Sequence, residues 1–240
     1  AHVNLSRVLY QMGLPALALE SARDANEIDP KSKKCNLLVK FLEVKRSLNN
    51  GEVAVDHRSV IDSYPEQRSS VITLHREVEA DLISKLYDIK SNEYKKLSKD
   101  ARFGTRSSDF NLFQDNSPVI TTLAKDINEI CKTEIGVKEI IICDSFFNIF
   151  ASGSGATKHN HIQKLDELFD LHIHKYSLVY YLDIGDQTGK DPGILKLYEP
   201  EEEILPSKGM IVIIDSKKEH SVSYLGNKDR VMIGVNFYGF

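Results

Sequence analysis

The sequence has no tryptophan, and only three cysteines, three methionines and seven prolines in 240 residues. Cys35, Cys131 and Cys143 are odd in number, far apart and without a C-x-x-C spacing. That argues against a disulfide framework and against a cysteine-rich zinc site, and makes a reducing, cytoplasmic compartment the expectation. A dominant charge is missing as well. The 31 basic and 35 acidic residues leave a net −4, with a pI near 6.1, which argues against nucleic acid or anionic membrane as the main partner. No uninterrupted apolar run is long enough to span a bilayer. The first residues carry neither an initiator methionine nor a signal-peptide pattern, so the chain reads as a piece of a longer protein.

What is present is ordinary globular material: 41% hydrophobic and 28% charged residues, enough for one medium domain or a small module joined to a domain. The first thirty residues look like one helical-repeat unit. Leu5, Leu9, Gly13, Ala18, Ala22, Ala25 and Pro30 are spaced so that small residues let two antiparallel helices approach, Gly13 permits the turn and Pro30 ends the second helix. A degenerate second copy continues to Pro65, with Ala54 in the small-residue place. The pattern over residues 1–65 resembles tetratricopeptide repeats; a generic pair of helical hairpins is the plainer alternative. Residues 69–98 keep helical periodicity with mixed charge on the polar face, so 66–100 is expected to be a helical connector. His57 and His75 read there as surface or packing residues. A long polar stretch with paired aromatics, "DARFGTRSSDFNLFQDNSP", reads as a loop of the length that is more often functional than not. Helical spacing then returns up to Gly136.

The texture changes after Gly136. "VKEIIICDSFFNIFASGSG", "YSLVYYLDIG", "GILKLYEP", "GMIVIIDS" and "DRVMIGVNFYGF" are short runs rich in β-branched and aromatic residues, punctuated by glycine and proline. They predict an antiparallel sandwich or barrel over residues 101–240. The fold class is therefore α+β and multidomain, with helical repeats followed by a β domain with flanking helices.

Half of the eight histidines fall in residues 156–185, as His159-Asn-His161 and His172-Ile-His174. On an extended segment, residues i and i+2 project to the same side, so two imidazoles there can converge on one metal. His220, after the strand "GMIVIID", could add a third from a neighbouring strand. Three ligands on one face leave open positions, as non-haem iron chemistry needs. A solvated His-x-His loop is the bland alternative.

The order of the residues further along the chain decides between them. Tyr180-Tyr181-Leu182, then Gly193, Leu195 and Tyr198, then Pro206, Gly209 and Val212, and finally His220 and Arg230 form a succession that resembles the iron(II)/2-oxoglutarate-dependent dioxygenases, particularly the prolyl-hydroxylase-like branch. The resemblance covers about residues 100–240. It implies a double-stranded β-helix (jelly-roll, cupin-like) fold, with Fe(II) and 2-oxoglutarate as cofactor and cosubstrate and O2 as oxidant. His159, His161 and His220 would be the metal ligands. Arg230 would pair with the distal carboxylate of 2-oxoglutarate and Tyr181 would add a hydroxyl hydrogen bond to it. The turn "YLGNKD" is expected to bring Arg230 back beside His220. The implied reaction is hydroxylation of an unactivated C–H bond. A protein or peptide side chain recruited by the helical repeats is the implied substrate.

The chain departs from the commoner family pattern in having His-Asn-His where most relatives have His-x-Asp or His-x-Glu. Asp166 or Asp170 could replace His161 if the segment after it folds back over the metal. The first histidine pair is preferred to His172 and His174, which are expected to line the entrance or sit on the strand surface. Two other functions stay open. One is a three-histidine cupin-like dioxygenase without 2-oxoglutarate, which has no use for Arg230 and Tyr181. The other is a non-catalytic scaffold with a vestigial site.

Overall fold

The computed structural model describes residues 1–49, 71–89, 92–93, 106–108, 110–169 and 171–240. Helices α1 (His2–Gln11) and α2 (Pro15–Ile28) form an antiparallel hairpin, and α3 (Lys33–Asn49) packs on α2. The sequence dictates the hairpin closely. Gly13 takes a left-handed conformation (φ +74°) at the turn, and Pro15 stands in the first turn of α2, where its missing N–H costs nothing. Ala18 and Ala22 are fully buried, and the helices come close enough for Ser6 Oγ to donate to the Ala18 carbonyl at 2.7 Å. The second repeat beyond residue 49 lies outside the described residues.

The expectation of a helical connector over 69–98 is corrected. Ile72–His75 is a strand, β1, paired antiparallel with residues 210–213. Only Leu82–Asp88 (α4) is helical in the described part of that segment. Four residues with exposed and half-buried side chains alternating suit a sheet edge, and cross-strand pairing outweighs local helix propensity there. The long loop is partly sheet too. Asn92–Glu93 (β2) pairs with Arg106–Ser107 (β3), and β3 pairs with Ile140–Phe150 (β4). Pro118–Ile135 (α5) is the helix expected before Gly136, which caps it at φ +71°.

The remaining strands are β5 (Ser154–His159), β6 (Lys175–Asp183), β7 (Pro192–Leu197), β8 (Glu202–Ile204), β9 (Met210–Asp215), β10 (His220–Tyr224) and β11 (Arg230–Gly239). They form two antiparallel sheets, one ordered β1-β9-β6-β11-β4-β3-β2 and one ordered β5-β10-β7-β8. Period-two alternation sorts the large sheet's side chains onto two faces. Leu178, Tyr180, Leu182, Ile211, Ile213, Val231, Ile233 and Val235 turn outward, onto Ile120, Leu123 and Ile127 of α5 and Leu82 and Leu86 of α4. Tyr181, Val212, Ile214 and Met232 turn inward, onto Leu195, Leu197 and Tyr224 of the small sheet. β11 is buried at all ten positions because both of its faces are covered.

A third apolar cluster joins the N-terminal helices to one end of this sandwich. Ala18, Leu19, Leu38, Phe41 and Leu42 pack with Ile141, Tyr238 and Phe240 and with Leu165, Phe169 and Leu171. The last three come from the segment between β5 and β6, which holds a short helix, α6 (Lys164–Leu168), and a 3-10 turn at Leu171–His174.

Candidate metal centre

The small sheet brings two histidines into register: His220 on β10 stands directly opposite His159 on β5. His161 lies two residues beyond the end of β5 and turns toward the same point. The ring centroids are 4.4 Å apart for His159 and His220, 5.0 Å for His161 and His220, and 5.2 Å for His159 and His161. Their candidate ligand nitrogens all lie within 4.8 Å of one another, and no other group of three such side chains forms among the described residues.

The hydrogen bonds determine which nitrogens face that point. His159 Nδ1 lies 2.6 Å from the Thr157 carbonyl, and His220 Nδ1 lies 3.0 Å from the Lys218 carbonyl. A carbonyl can only accept, so each Nδ1 carries the proton and each Nε2 presents a lone pair, the tautomer that a metal-binding imidazole requires. His161 Nε2 and His220 Nε2 are 3.2 Å apart. Burial, with a small contribution from His159, pushes His220 down to about 4, so it is neutral at pH 7. The Lys218 carbonyl opposes that shift without cancelling it. Three imidazoles converging on one point fit iron and its first-row neighbours, and three ligands leave coordination positions open.

Other residues weighed from the sequence lie elsewhere. Asp166 is fully buried, with both carboxylate oxygens engaged by Lys175, Tyr238 and the Gln163 N–H. Asp170 and His57 fall outside the described residues. Of the second histidine pair, His172 is half-buried in the 3-10 turn Leu171–His174, and His174 is not on a strand surface. His174 is buried, with Nδ1 3.2 Å from the Gly239 carbonyl and Nε2 2.9 Å from Lys45 Nζ of α3. It joins helix to sheet. His75 Nε2 meets the Lys208 carbonyl at the edge of the large sheet.

Arg230 is buried completely at the start of β11. The expected reason for its placement is corrected: β10 and β11 are not neighbours in one sheet but face each other from the two sheets. The guanidinium donates through Nε to Ile184 O (3.3 Å), through Nη1 to Gly193 O (2.5 Å) and through Nη2 to Pro192 O (2.9 Å). It lies 4.9 Å from the Tyr224 ring centroid and 5.8 Å from that of Tyr181. Three carbonyls and two aromatic faces hold a cation whose five N–H donors exceed those acceptors by two. Among the described residues no carboxylate pairs with it. Burial lowers its pKa, the two tyrosines act the other way, and an arginine stays cationic regardless. Tyr181 is pushed up to about 12 by burial, so its hydroxyl keeps its proton and can donate.

Tyr224 escaped the sequence reading although a signal for it existed. His220, Val222 and Tyr224 share one face by period two, so the strand that supplies a ligand had to turn a tyrosine the same way. Its hydroxyl donates to the Lys228 carbonyl at 2.5 Å and accepts from the Asp186 N–H at 2.8 Å, which fixes the ring under Arg230. His220 and Tyr224 are four residues apart, about 13 Å along an extended strand. The cationic cage and the histidine cluster thus mark two ends of one interior wall.

No protein-family model and no curated protein sequence matches the chain. Solved structures do. A Pseudomonas putida prolyl-4-hydroxylase superposes with a TM-score of 0.51 at 17% identity, covering 72% of this chain and 94% of that one. HygX from Streptomyces hygroscopicus, solved with nickel and 2-oxoglutarate bound, gives 0.54 at 12% identity over 78% and 88%. A Trichoplax adhaerens prolyl hydroxylase, in complex with a hypoxia inducible factor peptide fragment, gives 0.52 at 11% identity over 72% and 84%. At such identities the likeness is one of fold. The chain has the jelly-roll fold of the 2OG-Fe(II) oxygenases.

Proposed function

We propose that the protein is an Fe(II)- and 2-oxoglutarate-dependent oxygenase that hydroxylates an unactivated C–H bond. His159, His161 and His220 would hold the iron. Arg230 and Tyr181 would bind the far carboxylate of 2-oxoglutarate. The observation that carries this reading is Arg230: a fully buried cation, held between two tyrosine rings with no carboxylate partner among the described residues, facing Tyr224 of the strand that also carries His220. A buried charge is costly unless an opposite charge meets it, and a dicarboxylate reaching from the metal would supply one. The forked guanidinium suits bidentate capture of a carboxylate.

Bound iron would supply oxygen activation coupled to conversion of 2-oxoglutarate into succinate and CO2. The chain's own part is geometry. Strand pairing and two Nδ1–carbonyl bonds aim two imidazoles, and the sandwich interior excludes water around the cosubstrate. The charge-neutral ligand set leaves the metal one unit more positive than a carboxylate-bearing set would.

A protein or peptide side chain is the proposed substrate. The peptide fragment in complex with the Trichoplax prolyl hydroxylase supports this, as does the helical hairpin at residues 1–28. The division of labour follows: residues 1–65, tetratricopeptide-like, recruit the partner, and the sandwich, which includes β1 and α4, carries the chemistry. All three cysteines are free, which fits a reducing compartment such as the cytoplasm. Among the described residues no helix is long and apolar enough to cross a membrane.

Oxygen uptake by the iron-loaded protein, with and without 2-oxoglutarate, tests the reading. Uptake that depends on 2-oxoglutarate and yields succinate supports it. Uptake without 2-oxoglutarate would favour a three-histidine cupin-like dioxygenase instead, and no uptake under either condition would favour the scaffold.

A further inference from the structure

Two of the three clustered histidines are held by the sheet; the third is not. His159 and His220 face each other across paired strands, and a backbone carbonyl fixes each ring. His161 lies beyond the end of β5, where no ladder constrains the chain. Its peptide is nevertheless pinned on both sides. Its N–H donates to the Ser216 carbonyl at 2.9 Å, and its carbonyl accepts from Lys175 Nζ at 2.8 Å.

Lys175 is an unusual residue to find there. Its side chain is 1% exposed, and it pairs at 2.7 Å with Asp166, whose side chain is 0% exposed. Asp166 in turn accepts from the Tyr238 hydroxyl and, at 2.6 Å, from the Gln163 N–H that opens α6. Desolvating two charges costs about as much as their attraction returns, and an apolar pair of the same size is often as stable or more so. An apolar pair, however, could not donate to the His161 carbonyl or anchor the turn beyond it.

We infer that Lys175, Asp166 and Tyr238 form a positioning network that sets His161 as the third metal ligand. This rests on the three-histidine site proposed above. The network ties the segment between β5 and β6 to the first residue of β6 and to β11, so the metal end of the sandwich is set by a buried ion pair where strand pairing has run out. Asp166, the carboxylate that might have replaced His161, serves it from behind.

The test is a double-mutant cycle on the full chain, with Co(II) as the probe, read by affinity and by its d–d absorption. Lys175→Met should weaken Co(II) binding by roughly ten- to a hundredfold, the usual loss when a ligand's outer partner is removed. Its spectrum should move toward that of His161→Ala. In a His161→Ala background, Lys175→Met should cost nothing further, because both changes disable the same ligand. If Lys175→Met costs as much with His161 absent as with it present, the network inference fails and the three-histidine site stands. If His161→Ala alone leaves affinity and spectrum unchanged, His161 is no ligand and both readings fall. Circular dichroism checks folding. Should Lys175→Met not fold, Tyr238→Phe removes one bond to Asp166 and carries the same cycle, with a smaller expected loss that again vanishes in His161→Ala.

Discussion

Gly193 and Arg230 occupy complementary space. A Cβ placed on Gly193 would collide with the Arg230 guanidinium, and the Gly193 carbonyl accepts the Nη1 hydrogen bond at 2.5 Å. Gly193 also sits at φ +80°, where a side chain is strained whatever the room. A glycine that the sequence offered as a strand punctuation mark is therefore a wall of the cationic cage.

The cage can be tested from both sides. Charge-assisted bonds to a desolvated anion contribute about 1.5–3 kcal/mol, so Arg230→Ala should weaken 2-oxoglutarate binding roughly ten- to a hundredfold or more. Gly193→Ala should weaken it by displacing the guanidinium, and Arg230→Lys should recover only part of the loss, because it keeps the charge without the fork. Anaerobic titration of the Fe(II)-loaded protein measures this. Iron affinity should be unchanged in all three variants; unaltered 2-oxoglutarate affinity in Arg230→Ala would remove the cosubstrate assignment.

Metal binding should follow the register of the small sheet. His159→Ala and His220→Ala are each expected to abolish stoichiometric Fe(II) binding while far-UV circular dichroism stays that of the parent. Both rings meet one another, His161 and backbone carbonyls, so their loss leaves the sandwich core untouched. Parent-like iron binding in both variants would place the metal elsewhere.

His174 makes stability depend on pH. Burial, then the neighbouring Lys45, pushes it from 6.5 down to about 4, against the pull of the Gly239 carbonyl. Between those values the unfolded chain binds the proton that the folded chain refuses. The stability contributed by neutral His174 is therefore complete above about pH 6.5 and is lost as pH falls toward 4, to a limit on the order of 3 kcal/mol. Protonation would set two cations in contact at the junction of α3 and β11. Urea midpoints across this range should fall less steeply for His174→Gln than for the parent, and parallel profiles would count against the assignment.

The N-terminal helices share a core with the sheet, so their loss should be felt there. Phe41 is 1% exposed and meets Tyr10 edge-on and the ring of Phe240. Phe41→Ala should cost about 3–5 kcal/mol, a fall in Tm of about 6–20 °C for a chain of this size. Calorimetry would register one lowered transition. A small transition that moves alone, with the main one unchanged, would show that the helices and the sandwich unfold separately.

Much of this was legible in local order along the chain. Gly13 with Ala18 and Ala22 dictates a close helical hairpin, because only small side chains allow that approach and only glycine takes that turn freely. Runs such as "YSLVYYLDIG" and "GMIVIID" determine strands and, through period two, which residues turn inward. The ordered set from Tyr180 to Arg230 points to the jelly roll, and the i, i+2 spacing of His159 and His161 lets them converge with His220. Residues 72–75 misled for a physical reason. A four-residue edge strand holds its shape through partners about 140 positions away, and no local periodicity reports them.

Only the tertiary structure decided the rest. The fate of Asp166 turned on Lys175 and Tyr238, which reach it from two different strands. His174, equal to His161 as a letter and as a spacing, became a neutral link between helix and sheet because the segment before β6 folds under α3. Arg230 faces Tyr224 across the sandwich and is not beside His220 within one sheet. Spacing along a strand is a property of the chain, but which strand lies opposite is settled by the packing of two sheets, and the charges of this site lie across that gap.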